Sequence, residues 1–275
     1  MSRDRPVGLV AVQYEAQPLL AWLEEESHER LGDATLRLGQ IAGRRVALAE
    51  VLVGPVHAAL GAQGLILRHQ VGCLICFGSA CALTPALAVR DLVAARRVAH
   101  HDAGTFLGSR FIPLGVMSRG PGGRSCYRRG FDADPSLLAL ALAAAERLGA
   151  PAQAGTVVSG SQALFSEGRC RWLRQRFDAI AVDMESAAVA QTAMAHDLPW
   201  VAVRAISDVI GDEPFDFSRL LVYPDGGRPY WQQAAGRWLY LLAHPTVMRQ
   251  ALRLQQGLGA AAERAAEWVT AMLQA

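Results

Sequence analysis

Short apolar runs alternate with longer amphipathic or alanine-rich segments along most of the chain. "VGLVAV" predicts a buried strand, and "EAQPLLAWLEEESHERL" after it carries Leu19, Leu20, Trp22 and Leu23 at helical spacing, predicting a helix. "ATLRLGQIAGRRVALAEVLVG" predicts a hairpin turning near Gly43, and Gly54 with Pro55 leads into a helix over "VHAALGAQGLILRHQ". Further strands are predicted at "CLICFGSA", "DLVAARRVAHHDAG", "AGTVVSG", "AIAVDM" and "PWVAVRAISD", and helices at "PSLLALALAAAERLGA" and "ESAAVAQTAMAHDL". The Gly-, Arg- and Pro-rich stretch 117–130 predicts a mobile loop.

Strands separated by helices of this length imply a mainly parallel sheet with helices on both faces, an α/β fold. One domain over residues 1–275 suffices. From about Gly211 the pattern becomes turn-rich and then helical, so residues 211–275 are read as a helical C-terminal extension of that domain. Its apolar positions Trp231, Trp238, Leu239 and Leu242 are expected to pack on the core.

Charge narrows the partners. With 27 basic and 25 acidic residues, the formal net charge of +2 gives no phosphate-steering surface, which argues against nucleic acid and for small ligands. The first residues have no apolar core of signal-peptide length, because Gln13, Tyr14 and Glu15 interrupt it. The longest apolar stretch, 74–89, is broken by Gly78, Ser79, Thr84 and Pro85, so no transmembrane segment is expected. Five cysteines without framework spacing fit a reducing compartment, and the expected location is cytoplasmic. Cys73 and Cys76 lie three apart on a strand and point to opposite faces, so they are read as buried thiols, and no metal site is expected.

Carboxylates are sparse in the apolar block 181–208, yet Asp183, Glu185 and Asp208 stand at the ends of its elements. In open α/β sheets ligands sit at the carboxyl ends of strands. Four such ends carry polar or glycine junctions: Glu15; Gly78 with Ser79; Asp183 to Glu185; and Ser207 with Asp208. On the residues alone, Asp208 could equally be a helix cap or an ion-pair partner of Arg204, and Glu185 a first-turn acid favoured by the helix dipole. A serine hydrolase is excluded by the lack of Gly-x-Ser-x-Gly, and no dinucleotide fingerprint or Walker loop occurs. His100 and His101 are adjacent on a strand and cannot share one metal.

The pieces "GLVAVQYEAQPLL", "VGPVHAALGA", "CFGSACALTPALAVRDLV", "HHDAG", "GTVVSG" and "AVDMESAAVAQTAMAHDLPWVAVRAISD" occur in family order over residues 7–209. They resemble the nucleoside phosphorylase and nucleosidase superfamily, and within it most closely the methylthioadenosine/S-adenosylhomocysteine nucleosidases. The resemblance implies a three-layer αβα sandwich with a mixed, mainly parallel sheet. It also implies a homodimer or higher oligomer, a purine nucleoside substrate, and neither metal nor organic cofactor. By that resemblance Asp208 is the acid at N7 of the leaving purine and Glu15 the base that activates water, beside Ser79 and Gly78. Met184 and Glu185 bind the ribose, Ser207 beside the acid also binds substrate, and the segment with Leu164 and Phe165 lines the base pocket. Relatives that hold phosphate carry an arginine two residues before the "GS" and another after the first strand. Here Cys76 and "QYEA" stand instead, so water is the expected nucleophile. The expected reaction is hydrolysis of an adenine-type nucleoside. The alternatives are a phosphorylase, including a hopanoid-associated enzyme acting on an adenosyl lipid, and a catalytically decayed nucleoside-binding sensor. Cys81 and Ala82 depart from the family's glycines, and the tail is longer than in compact methylthioadenosine nucleosidases.

Overall fold

A computed structural model describes residues 5–120, 123–164, 166–209, 220–221 and 229–275. Three strands form one wing of the central sheet. β1 (Val7–Val12) pairs in parallel with β4 (Arg44–Val51), which pairs antiparallel with β3 (Ala34–Ile41). The turn between β3 and β4 places Ala42 and Gly43 at φ 51° and 75°, the positive pair that suits the twist of a tight hairpin. An edge strand, β2 (Glu24–Leu31), then pairs with β3. The helix expected across this region ends early instead: α1 covers only Gln13–Leu20. Seven of the eight β2 residues are exposed and only Leu31 packs on the core, so neither strand nor helix periodicity marks it.

The other wing closes on itself. β5 (Cys73–Ala82) pairs with β14 (Trp200–Val209), β14 with β6 (Leu92–His100), β6 with β12 (Gln153–Ser159), β12 with β13 (Ala179–Asp183), and β13 again with β5. β5 changes partner along its length. Cys73–Cys76 run beside β1, whereas Cys81 and Ala82 run beside β13. Between them Gly78 adopts φ +150°, which a side chain would strain. The strands part there, as at the switch points where α/β sheets hold ligands.

Helices cover both faces. α2 (Pro55–His69) and α5 (Ser186–Ala195) pack together on one, and α1, α3 (Pro135–Arg147) and α7 (Pro245–Leu273) on the other. The result is the expected mixed three-layer α/β sandwich. α3 starts on Pro135, with Asp134 accepting from the backbone N–H groups of Ser136 and Leu137. The last half of α7 belongs to the core: Ala261, Ala265 and Ala266 are buried, and the buried Trp268 indole donates to Ala141 O at 2.8 Å. Alanines allow close approach, and Gly257 allows more. A Cβ there would lie 2.0 Å from Ser207 O, so α7 presses directly on the end of β14.

Two further expectations change. The stretch read as a mobile loop holds a hairpin, β9 (Val116–Arg119) with β10 (Ser125–Arg128), after another formed by β7 (Gly104–Leu107) and β8 (Arg110–Pro113). Their mostly exposed residues lack the apolar alternation that would reveal them. On α6 (Tyr230–Ala243), Trp231, Trp238, Leu239 and Leu242 do not pack on the core; they are 59–68% exposed.

Candidate active site

A charged residue in an apolar strand must find partners, and Arg204 in the middle of β14 is fully buried. Its Nε lies 2.7 Å from Asp183 Oδ2 and donates to Ser186 Oγ at 3.0 Å. One terminal nitrogen faces Cys76 Sγ at 3.0 Å, and the other lies 3.9 Å from Glu185 Oε2. Asp183, closing β13, also accepts from Ser159 Oγ at 2.5 Å and from the Ser186 hydroxyl. The guanidinium is thus the hub for the ends of β12 and β13 and the start of α5. Burial disfavours the charged guanidinium, but Asp183, then Glu185 and Glu15, outweigh it and hold Arg204 further toward its charged form. Burial pushes the Cys76 thiol up to about 12, so it meets Arg204 as a neutral group.

Glu185 precedes α5, and its Oε1 accepts from the Gly54 backbone N–H at 3.0 Å. Gly54, at φ +111°, opens α2, so this contact ties the two helix starts together. Burial raises the Glu185 pKa to about 7 against the pull of Arg204, with Asp183 and Glu15 adding to the rise. Met184 beside it is half-buried.

Glu15, in the first turn of α1, is buried in the gap where β5 leaves β1. The Ser79 N–H donates to its Oε1 at 2.7 Å, and the Ser79 hydroxyl donates to the same oxygen. Oε2 has no hydrogen-bond partner among the described residues. It stands over Gly78, where a Cβ would come within 2.1 Å of it. Burial raises the Glu15 pKa, with Arg204 and Ser79 opposing. Tyr14 keeps part of its ring exposed, but burial around its hydroxyl, then Glu15 and Glu185, push the phenol above its ordinary range.

Asp208 is half-buried at the end of β14 and makes no ion pair with Arg204. Ser207 Oγ donates to its Oδ1 at 2.5 Å. An irregularity between Ile206 and Asp208 sets Asp208 opposite Cys81 of β5. Burial, and then Asp208 itself, hold the Cys81 thiol far into its protonated form. Ser79, which grips Glu15, and Cys81, which faces Asp208, are two residues apart, about 7 Å along one strand. The two candidate acids therefore address the same stretch of β5. An open groove of about 710 Å³, lined by Ala82, Leu83, Leu87, Arg171, Arg174 and Val209, lies beside this stretch, and none of the candidate acids or sugar-binding residues lines it.

Leu164 is half-buried against a small apolar cluster that includes Leu83, Ala99, Val158 and Leu173, while Phe165 lies outside the described residues. The loop before Leu164 is held by Asp102, whose Oδ2 accepts from Ser161 N–H at 2.8 Å, and by His101, fully buried under Gly160. His100 turns the other way and pairs with Gln191 at 3.0 Å. Among the described residues no group of three or more His, Cys, Asp or Glu could hold a metal ion. Sequence reasoning passed over the Arg204 hub, Ser159, Ser186 and the Gly54 amide. Only Arg204 left a signal, as the one charge inside "VAVRAIS".

The chain belongs to the phosphorylase superfamily, whose family model matches residues 7–221. It is an enzyme of that superfamily, and its solved structural neighbours include nucleosidases. Futalosine hydrolase of Helicobacter pylori strain 26695 shares the fold at 23% identity and TM-score 0.73, covering 98% of this chain and 97% of that one. The 5′-methylthioadenosine/S-adenosylhomocysteine nucleosidase of Neisseria meningitidis, solved with methylthio-immucillin-A, is 24% identical, with TM-score 0.73 over 98% of this chain and 99% of that one. An aspartate-to-asparagine mutant of the Helicobacter pylori nucleosidase, holding 5′-methylthioadenosine in its active site, is 22% identical at the same TM-score. No described helix of this chain is long and apolar enough to cross a membrane.

Proposed function

We propose that this enzyme hydrolyses the N-glycosidic bond of a purine nucleoside of the adenine type, releasing free base and sugar. The observation that carries the reading is Glu15: one carboxylate oxygen is gripped twice by Ser79 and the other is left without a hydrogen bond, two strand residues from the position facing Asp208. Glu15 Oε2 takes a proton from the attacking water, and its raised pKa makes it a better base than an ordinary carboxylate. Cleavage leaves an oxocarbenium-like sugar and an electron-rich purine. Asp208, supported by Ser207, protonates the purine nitrogen as the bond breaks. Glu185, fixed by Gly54 N–H, accepts the sugar's 2′-hydroxyl, with Met184 beneath the ring. Leu164 lines the base. Each proton transfer lowers the barrier by about two to four powers of ten in rate.

Water is favoured over phosphate because Arg204, the guanidinium that faces Glu185, is fully buried and engaged with Asp183. A phosphate would lack the forked partner it normally finds. A homo-oligomer belongs to the same reading, supported by the exposed stripe Val56, Leu60 and Leu67 on α2. The test is incubation with 5′-methylthioadenosine, S-adenosylhomocysteine, adenosine, inosine and futalosine, with and without phosphate. Free sugar independent of phosphate is expected. Phosphorylated sugar made only with phosphate would establish the phosphorylase instead, and tight binding without base release the sensor.

A further inference from the structure

α6 is built inside out. Trp231, Trp238 and Leu242 recur at helical spacing, so with Leu239 they form one apolar stripe, and all four are 59–68% exposed. The side turned toward the protein carries the half-buried Gln233, Ala234, Arg237, Tyr240 and Leu241. A helix folded only to cover a core would place these sets the other way round. Two tryptophans on the outer stripe are costly to leave in water and suited to a boundary between apolar and polar media.

Charge singles out the partner. From Pro229 to Ala262 the chain carries Arg237, Arg249 and Arg253 and no Asp or Glu. The Arg237 guanidinium lies 5.9 Å from the centre of the Trp238 ring. Arg249 and Arg253 are exposed one turn apart on the first half of α7, with Leu252, also exposed, between them. A second copy docked face to face would set these like charges against each other, whereas an anionic surface would neutralise them. An exposed apolar stripe with tryptophan, arginines nearby and no acid are the features of helices that lie in the plane of a bilayer surface.

We propose that α6 docks this enzyme on an anionic lipid bilayer, with Trp231, Trp238, Leu239 and Leu242 entering the interface and the exposed Arg249 and Arg253 at the headgroups. This stands apart from the reaction chemistry and holds whichever nucleoside is cleaved. The test is flotation of the full chain with vesicles of phosphatidylcholine alone and of phosphatidylcholine mixed equally with phosphatidylglycerol, at low and high salt. The chain is expected to float with the mixed vesicles, with a blue shift of tryptophan emission, and to stay behind with phosphatidylcholine or at high salt. Trp231→Ala with Trp238→Ala should cut partitioning at least tenfold. Arg249→Gln with Arg253→Gln should cut it about 30-fold, each arginine near an anionic surface being worth about fivefold. Melting temperatures within a few degrees of the parent confirm that these exposed changes leave the fold intact. No flotation of the parent chain, or flotation indifferent to the tryptophan pair, overturns the proposal. So does loss of a lipid-free oligomer in the tryptophan variant, which would make this face a contact between copies.

Discussion

Arg204 and Asp183 form a fully desolvated ion pair at 2.7 Å, and that pairing leaves Asp208, four residues further along β14, without the cation that its sequence neighbourhood offered. The hub orders three element ends at once, because Ser159 and Ser186 complete the shell around Asp183. Removing one partner strands a buried charge. Arg204→Met is expected to lower stability by about 3–5 kcal/mol in denaturant titration, as buried pairs do when halved. Arg204→Lys, which keeps the charge but loses the fork, should lose less. Equal stability of Arg204→Met and the parent would contradict the hub.

Glu15→Gln keeps the size of the side chain and an oxygen for Ser79, but not a base. Turnover should fall by about two to four powers of ten while nucleoside binding changes little. Comparing steady-state kcat with the dissociation constant of an inert nucleoside analogue separates the two. A loss confined to binding would assign Glu15 to recognition instead.

Gly78 stands where only glycine fits, by its φ of +150° and by the approach of Glu15. Gly78→Ala must push the Glu15 carboxylate off its Ser79 seat. The expected result is a kcat loss approaching that of Glu15→Gln, together with about 1–3 kcal/mol of destabilisation from the strained backbone. Wild-type turnover in this variant would show that the water-handling carboxylate sits elsewhere.

The Glu185 carboxyl, ordinarily at 4.5, titrates at about 7 in the fold. The native chain therefore holds this proton more tightly than the unfolded chain does. Its contribution to stability is fully present below pH 4.5 and is lost as pH rises through 7, the same direction that Glu15 adds. Relative to Glu185→Gln, the parent should gain stability as pH falls through that window, measured by denaturant unfolding at several pH values. KM should rise over the same range, because the protonated carboxyl accepts the sugar hydroxyl less well. A pH-independent difference between the two proteins would remove Glu185 from this account.

Much of this was readable in the amino-acid sequence where an element is buried on both sides. β1, β5, β13, α5 and β14 announce themselves as apolar runs, and the junctions that end them carry Glu15, Ser79, Glu185 and Asp208. Elements that face water gave no such signal. β2 is almost wholly exposed and reads as a continuation of α1, and the β9–β10 hairpin reads as a loop. The outward stripe of α6 has the same periodicity as an inward one, so pattern alone points it at the core. The Arg204 hub depends on which strand ends the ring of β5, β14, β6, β12 and β13 brings together, a three-dimensional fact that spacing along the chain does not encode.

The most direct measurement is single-turnover release of purine by Asp208→Asn beside the parent, with nucleoside affinity measured independently on both. The account predicts that release slows by about two to four powers of ten while affinity stays within a few-fold. Unchanged release, or a loss of affinity that accounts for all of the slowing, would contradict it.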